Sequence, residues 1–173
     1  RVCMLHHDYN WKGYAGGIEV IREVMTQGRK VQLVVFGGKL EDPQPLFDAA
    51  GFDFEYHYRP TRERLRKIYT SCDIFLCPSW YEGLGLTAME AMACRCALVT
   101  ADTGGCLDYA INDYTALVSP SRDIKGLSQN LIRLLDDEAL LKSLSQNGYR
   151  KISEFDWQKN CDRLMHLFEE SLT

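Results

Sequence analysis

The strongest constraint on this chain is an alternation. Five short, nearly continuous apolar runs, VCML (2–5), VQLVVF (31–36), DIFLC (73–77), ALVT (97–100) and TALV (115–118), and one that alternates as a strand should, FDFEYH (52–57), are separated by stretches with helical spacing. Strands of that kind, with helices between them, belong to a parallel sheet covered on both faces. The helical spacing is clear at 16–27, where Ile18, Ile21, Val24 and Met25 form a stripe, and at 61–71, where Thr61 is a plausible cap. Shorter helices are expected at 45–50, 86–93 and around 106–111. From Asp123 onward the pattern is helical, with breaks expected near Gly148 and near Asp156. The reading is a doubly wound, Rossmann-like α/β domain with a helical C-terminal tail. Such sheets collect ligands outside the carboxyl ends of their strands. Polar residues stand there at 6–12, at Tyr58 and Arg59, and at 79–85.

Size agrees with one unit: 173 residues, 46% of them hydrophobic, make a single domain over 1–173. A formal charge of −4 gives no basic footprint for nucleic acid. No apolar run is long enough for a bilayer and no signal peptide opens the chain, so a cytoplasmic setting is expected. The chain opens on Arg1 and runs at once into a strand, which suggests an excised domain whose partner lies upstream. The seven cysteines form no C-x-x-C pair and are expected as buried free thiols.

The residues that carry chemistry cluster in PSWYEGLGLTAMEAMA (78–93). From Leu86 to Ala93 the segment is apolar except for Thr87 and Glu90, so a buried helix with a carboxylate in its middle is expected. A buried carboxylate needs partners. Either Glu90 closes an internal salt bridge, to Arg95 or Arg59, or it accepts hydrogen bonds from a diol such as a ribose. Glu82, Gly83 and Gly85 precede the helix, whose first backbone amides suit a phosphate or a sugar hydroxyl. The alternative for the glycines is a tight strand-to-helix turn. Lys12, after the first strand, is placed to reach a diphosphate through a charge-assisted bond worth about 1.5–3 kcal/mol net. The dinucleotide fingerprint G-x-G-x-x-G is absent, as are a strand-ending aspartate of the phospho-receiver type and a G-x-S-x-G elbow. His6 and His7 have no further ligands at metal-binding spacing.

Together these motifs resemble the donor-binding half of family 4 retaining glycosyltransferases, which have the two-domain GT-B fold. The mark is Glu82, seven residues, then Glu90, set in P-S-x-x-E-G-x-G-L and followed by E-A-M-A. The likeness runs from WKG (11–13) to the final helix. It implies that Glu82 contacts the donor sugar near the reacting carbon, that Gly83, Leu84 and Gly85 hold sugar hydroxyls and diphosphate through their backbone, and that Leu86 and Thr87 belong to the same donor site. Glu90 would grip the ribose, Lys12 would neutralise the leaving diphosphate, and Tyr58–Arg59 would face the base. His6 stands where the family has an arginine, six positions before the lysine. Arg95, Ala97, Asp108 and Ala116 are further departures, which leave donor identity open.

The implied reaction moves a hexose from a UDP- or GDP-type sugar to an acceptor hydroxyl with retention, in cell-surface polysaccharide or glycoconjugate synthesis. No D-x-D is present, so no cofactor and no essential metal are expected. The acceptor site is expected on the N-terminal domain missing from this chain, with peripheral membrane contact through the intact protein. Two rival readings are an isolated nucleotide-sugar-binding module without activity of its own and a sugar-nucleotide epimerase of related fold.

Overall fold

The computed structural model describes residues 1–38 and 41–171. Six parallel strands, β1 (Val2–His6), β2 (Leu33–Gly37), β3 (Glu55–Tyr58), β4 (Ile74–Cys77), β5 (Ala97–Ala101) and β6 (Ala116–Ser119), form one sheet in the order β3-β2-β1-β4-β5-β6. The chain winds outward from β1 to one edge and then from β4 to the other. The switch point, where ligands of such sheets bind, is therefore the gap between β1 and β4. The paired residues there are Val2 with Ile74 and Cys3 with Phe75.

Helices α1 (Tyr14–Thr26), α2 (Gln44–Ala50), α3 (Arg62–Thr70), α4 (Leu86–Ala93), α5 (Ile124–Asp136), α6 (Glu138–Ile152) and α7 (Trp157–Ser171) complete the fold. Both sheet faces are apolar because alternate strand residues enter two separate clusters. Met4, Leu76 and Val99 pack with Ile21, Val24 and Leu131 on one side. Cys3, Phe75 and Leu98 pack with Ile68, Tyr69 and Met92 on the other. Thr61 caps α3 by accepting from the Arg64 amide at 3.3 Å, as its position predicts.

Several expectations shift. The helix read at 16–27 starts earlier, at Tyr14, and the one near 106–111 is a single 3-10 turn, Gly105–Asp108. The third strand pairs from Glu55 because Phe54 is drawn into the core, edge-on to Phe47 at 4.7 Å. The break expected at Gly148 is absent. α6 passes through it, since a Cβ there would come within 2.9 Å of Met92 Cε; the glycine lets α6 lie close. The break before it falls at Asp137, whose carboxylate caps α6 through the Leu140 amide. The segment after Ser153 does break the helix near Asp156, and α7 follows with Leu164, Met165, Leu167 and Phe168 exposed.

Five cysteines, Cys3, Cys72, Cys77, Cys96 and Cys106, are buried free thiols; Cys94 is half-buried and Cys161 exposed. Among the described residues no helix is long and apolar enough to cross a membrane.

Candidate functional site

The loops leaving β1 and β4 meet at the switch point. The Trp80 amide donates to the Trp11 carbonyl at 2.7 Å, and Ser79 Oγ to the Lys12 carbonyl at 3.3 Å. This cross-tie sets Lys12 against Glu82. The ammonium donates to both carboxylate oxygens, at 2.8 and 2.9 Å, with the side chains only 22% and 14% exposed. An ammonium has three donors. Two are engaged by Glu82, and among the described residues no hydrogen-bond partner takes the third.

Glu82 is also fixed through its backbone. Its amide donates to the Thr103 carbonyl at 3.2 Å and it bridges to Gly104. The turn at 103–105 lies so close beneath that a Cβ on Gly105 would stand 1.6 Å from the Gly83 carbonyl oxygen. Gly85 then opens α4 in the left-handed region, φ +74, and its carbonyl accepts from the Tyr109 hydroxyl at 3.3 Å. A side chain at Gly85 would be both strained and 2.6 Å from that hydroxyl. α4 has no side-chain cap, so the amides of Leu86 and Thr87 head the helix beside Glu82 as a ready anion-binding end.

Glu90 corrects the expectation of a buried carboxylate. Ala88, Met89, Ala91 and Met92 are buried, but Leu86, Glu90 and Ala93 form an exposed stripe. The helix is apolar nearly all round, yet among the described residues one side of it stays exposed. Among the described residues Glu90 closes no salt bridge to Arg95 or Arg59. Arg95 instead stacks on Tyr149, 4.0 Å from the ring centroid, and Arg59 donates to the Gly38 carbonyl. The Glu90 carboxylate accepts from the buried Tyr69 hydroxyl at 3.3 Å. That phenol is pushed well above its usual range, by burial first and by the neighbouring carboxylate second, so it remains a donor. Glu90, Tyr69, Arg62, Arg66 and Trp157 line a cavity of about 560 Å³.

Glu82 and Glu90 thus do not line one cavity. A second, of about 570 Å³, is walled by His6, the loop after β1, the start of α1, Trp80 and Arg122. His6 is buried at the end of β1, edge-on to Tyr14 at 4.6 Å, and its Nδ1 has no hydrogen-bond partner among the described residues. Burial holds its proton affinity below the ordinary histidine value of 6.5, against an opposing pull from Asp8. Tyr58 ends β3, two strands from β1, and Arg59 follows it, turned back over the Tyr58 ring. Leu84 is exposed and Gly83 faces open space. Among the described residues no group of three His, Cys, Asp or Glu could hold a metal ion. Sequence reasoning missed Tyr69, Tyr109, Arg122 and the role of Gly105; only the paired glycines at 104–105 carried a signal.

Residues 1–151 match the family described as Glycosyl transferases group 1. The chain belongs to this family. Among curated members, it is 31% identical over 144 residues to the Campylobacter jejuni N,N'-diacetylbacillosaminyl-diphospho-undecaprenol alpha-1,3-N-acetylgalactosaminyltransferase, covering 81% of this chain and 37% of that protein. The chain spans about a third of the length of the curated relatives it matches. Among solved structures, Staphylococcus aureus TarM, crystallised with UDP, superposes with a TM-score of 0.83 at 18% identity, over 96% of this chain and 35% of TarM. The C-terminal domain of the family member LpcC from Francisella tularensis gives 0.75 at 22% identity, over 89% of this chain and 85% of that domain. The fold is that of the C-terminal half of a GT-B glycosyltransferase.

Proposed function

We propose that this chain is the donor-binding half of a retaining hexosyltransferase, which moves a hexose from a UDP- or GDP-type sugar to an acceptor hydroxyl. The observation that carries the reading is the Lys12–Glu82 pair in front of the uncapped start of α4. Charge separates as the diphosphate leaves, and both ends need stabilising. The third donor of Lys12 and the first amides of α4 would receive the departing diphosphate. Glu82, held by the same ammonium, would orient the sugar and favour positive charge at its anomeric carbon. Attack from the face the diphosphate leaves, with the phosphate taking the acceptor's proton, keeps the configuration. That route is preferred to a covalent intermediate on Glu82. Lys12 and the helix end supply the neutralising charge, so no step is routed through a metal.

Glu90 would accept from the ribose diol, its remaining lone pairs being open to the cavity it shares with Arg62 and Arg66. Tyr58 and Arg59 would flank the base. Acceptor binding is assigned chiefly to an N-terminal half, which would also cover the exposed side of α7. The setting proposed is polysaccharide or glycoconjugate assembly in the cytoplasm, at the inner face of the membrane. The Campylobacter relative, named for an undecaprenol-linked acceptor, is in keeping with that.

Calorimetric titration with UDP, GDP and their hexoses tests the reading, followed by a transfer assay with and without the N-terminal half. The expected result is binding of one nucleotide by the chain, with transfer only when both halves are present. A folded chain that binds neither nucleotide would contradict it.

A further inference from the structure

The segment after β5 braces the loop that carries Glu82 at three points. The Glu82 amide donates to the Thr103 carbonyl, the Gly83 carbonyl lies against Gly105, and the Gly85 carbonyl accepts from the Tyr109 hydroxyl at 3.3 Å. The first two braces are made by backbone atoms. The third is made by a side chain, so a substitution can remove it cleanly. We infer that Tyr109 is a positioning residue for anion binding: its hydroxyl fixes the peptide between Gly85 and Leu86, so that the Leu86 amide faces the diphosphate. The word diphosphate rests on the donor reading above.

A trans peptide is planar, so its carbonyl and its N–H point in opposite directions. The Gly85 carbonyl is directed into α4, where it accepts from the Ala88 and Met89 amides at 2.9 and 3.2 Å. The Leu86 N–H of the same peptide therefore points away from the helix body, beyond its first turn. Those two amides tether the carbonyl along the helix axis but leave the peptide free to rock about it. Gly85, without a side chain and at φ +74, offers little resistance of its own. The Tyr109 hydroxyl approaches the same oxygen from outside the helix and removes that freedom. It also fills the space beside Gly85, where a Cβ would stand 2.6 Å from the phenol oxygen.

Tyr109 can hold the peptide because it is itself held. It is 1% exposed, too little for a ligand to reach, so it acts through Gly85 and not by contact. Its carbonyl accepts from the Thr115 hydroxyl at 2.6 Å, its amide donates to the Cys106 carbonyl at 3.1 Å, and its ring meets Phe155 edge-on at 6.2 Å. Burial first, and then the nearby Cys77, Cys106 and Glu82 groups, push its pKa well above the ordinary tyrosine value. The hydroxyl therefore keeps its proton and remains a donor. A length of 3.3 Å is long for a hydroxyl bond, so weakened anion binding is expected rather than its abolition.

Titrations with UDP, GDP, their nucleosides and inorganic pyrophosphate test this, on the native chain and on Tyr109→Phe, which removes only the hydroxyl. Thermal melts confirm that the variant is folded; the Gly85 carbonyl keeps both helix partners, so little stability should be lost. The expected result is nucleotide affinity weakened about three- to tenfold, as for one lost hydrogen bond, with nucleoside affinity kept within about twofold. A merely structural role for Tyr109 would weaken both alike. In proton–nitrogen correlation spectra of the native chain, the Leu86 amide should shift with the nucleotide and with pyrophosphate but not with the nucleoside. That measurement needs no variant. A variant that binds the nucleotide as tightly as the native chain, or that loses nucleotide and nucleoside equally, overturns the inference and leaves the donor reading intact. A Leu86 amide that ignores a bound nucleotide also overturns it. Pyrophosphate binding that depends on Tyr109, in a chain that holds UDP and GDP no more tightly than pyrophosphate, supports the positioning role and removes the donor reading.

Discussion

Glu82 is held on both carboxylate oxygens by one ammonium, at 2.8 and 2.9 Å, whereas Glu90, eight positions later, accepts a single phenol at 3.3 Å on an exposed helix stripe. The two differ in what a ligand would meet under the proposed function. At Glu82 it would meet a charge pair already formed. At Glu90 it would meet a carboxylate with most of its acceptor capacity open. The first arrangement suits a group that must be fixed before chemistry begins. The second suits a group that recognises hydroxyls.

The contrast can be broken or sharpened by substitution. The largest effect is expected where the Glu82 loop rests on its support. Gly105→Ala places a Cβ 1.6 Å from the Gly83 carbonyl oxygen and should cost about 3 kcal/mol in urea unfolding, near the top of the range for overpacking. Gly83→Ala, with open space around it, should stay within about 0.5 kcal/mol. Next comes Glu82→Gln in the full-length enzyme. Turnover should fall about 100-fold with a smaller change in donor affinity, as when one stabilising group of a transition state is lost; a full-rate variant would remove Glu82 from the chemistry. Lys12→Met leaves a largely covered carboxylate unpaired and should cost about 1–3 kcal/mol, read from the shift in denaturation midpoint. Discounting for the 22% and 14% exposure of the pair keeps the figure in that range rather than higher. The smallest effect concerns pH. His6 binds its proton less readily folded than unfolded, because it is buried. The unfolded chain therefore takes up more protons as pH falls through 6.5. Stability should drop there, and His6→Phe should lose that component of the pH dependence when the two proteins are compared.

Much of the fold was legible because each strand is a short apolar run and each helix carries its own stripe or cap. Thr61 shows this at short range. The surprises came from contacts between distant residues. An apolar segment such as 86–93 reads as buried all round, but periodicity does not reveal that the side bearing Leu86 and Glu90 faces a cavity and stays exposed. Lys12 and Glu82 each stand recognisably after a strand. Their pairing depends on β1 lying beside β4, a consequence of the winding order rather than of local sequence. Gly148 reads locally as a breaker and is tolerated because Met92 needs the space. Tyr69 and Tyr109 look like core residues, and are, yet their hydroxyls reach the Glu90 carboxylate and the Gly85 carbonyl.

The most direct measurement compares UDP with 2′,3′-dideoxy-UDP, or the guanosine pair if GDP is the nucleotide bound, on the native chain and on Glu90→Gln. If Glu90 reads the ribose diol, removing both hydroxyls should weaken binding to the native chain about tenfold, and most of that penalty should vanish in the variant, since the two changes remove the same contact. A native chain that binds both nucleotides equally well, or a penalty that survives intact in Glu90→Gln, would contradict the account.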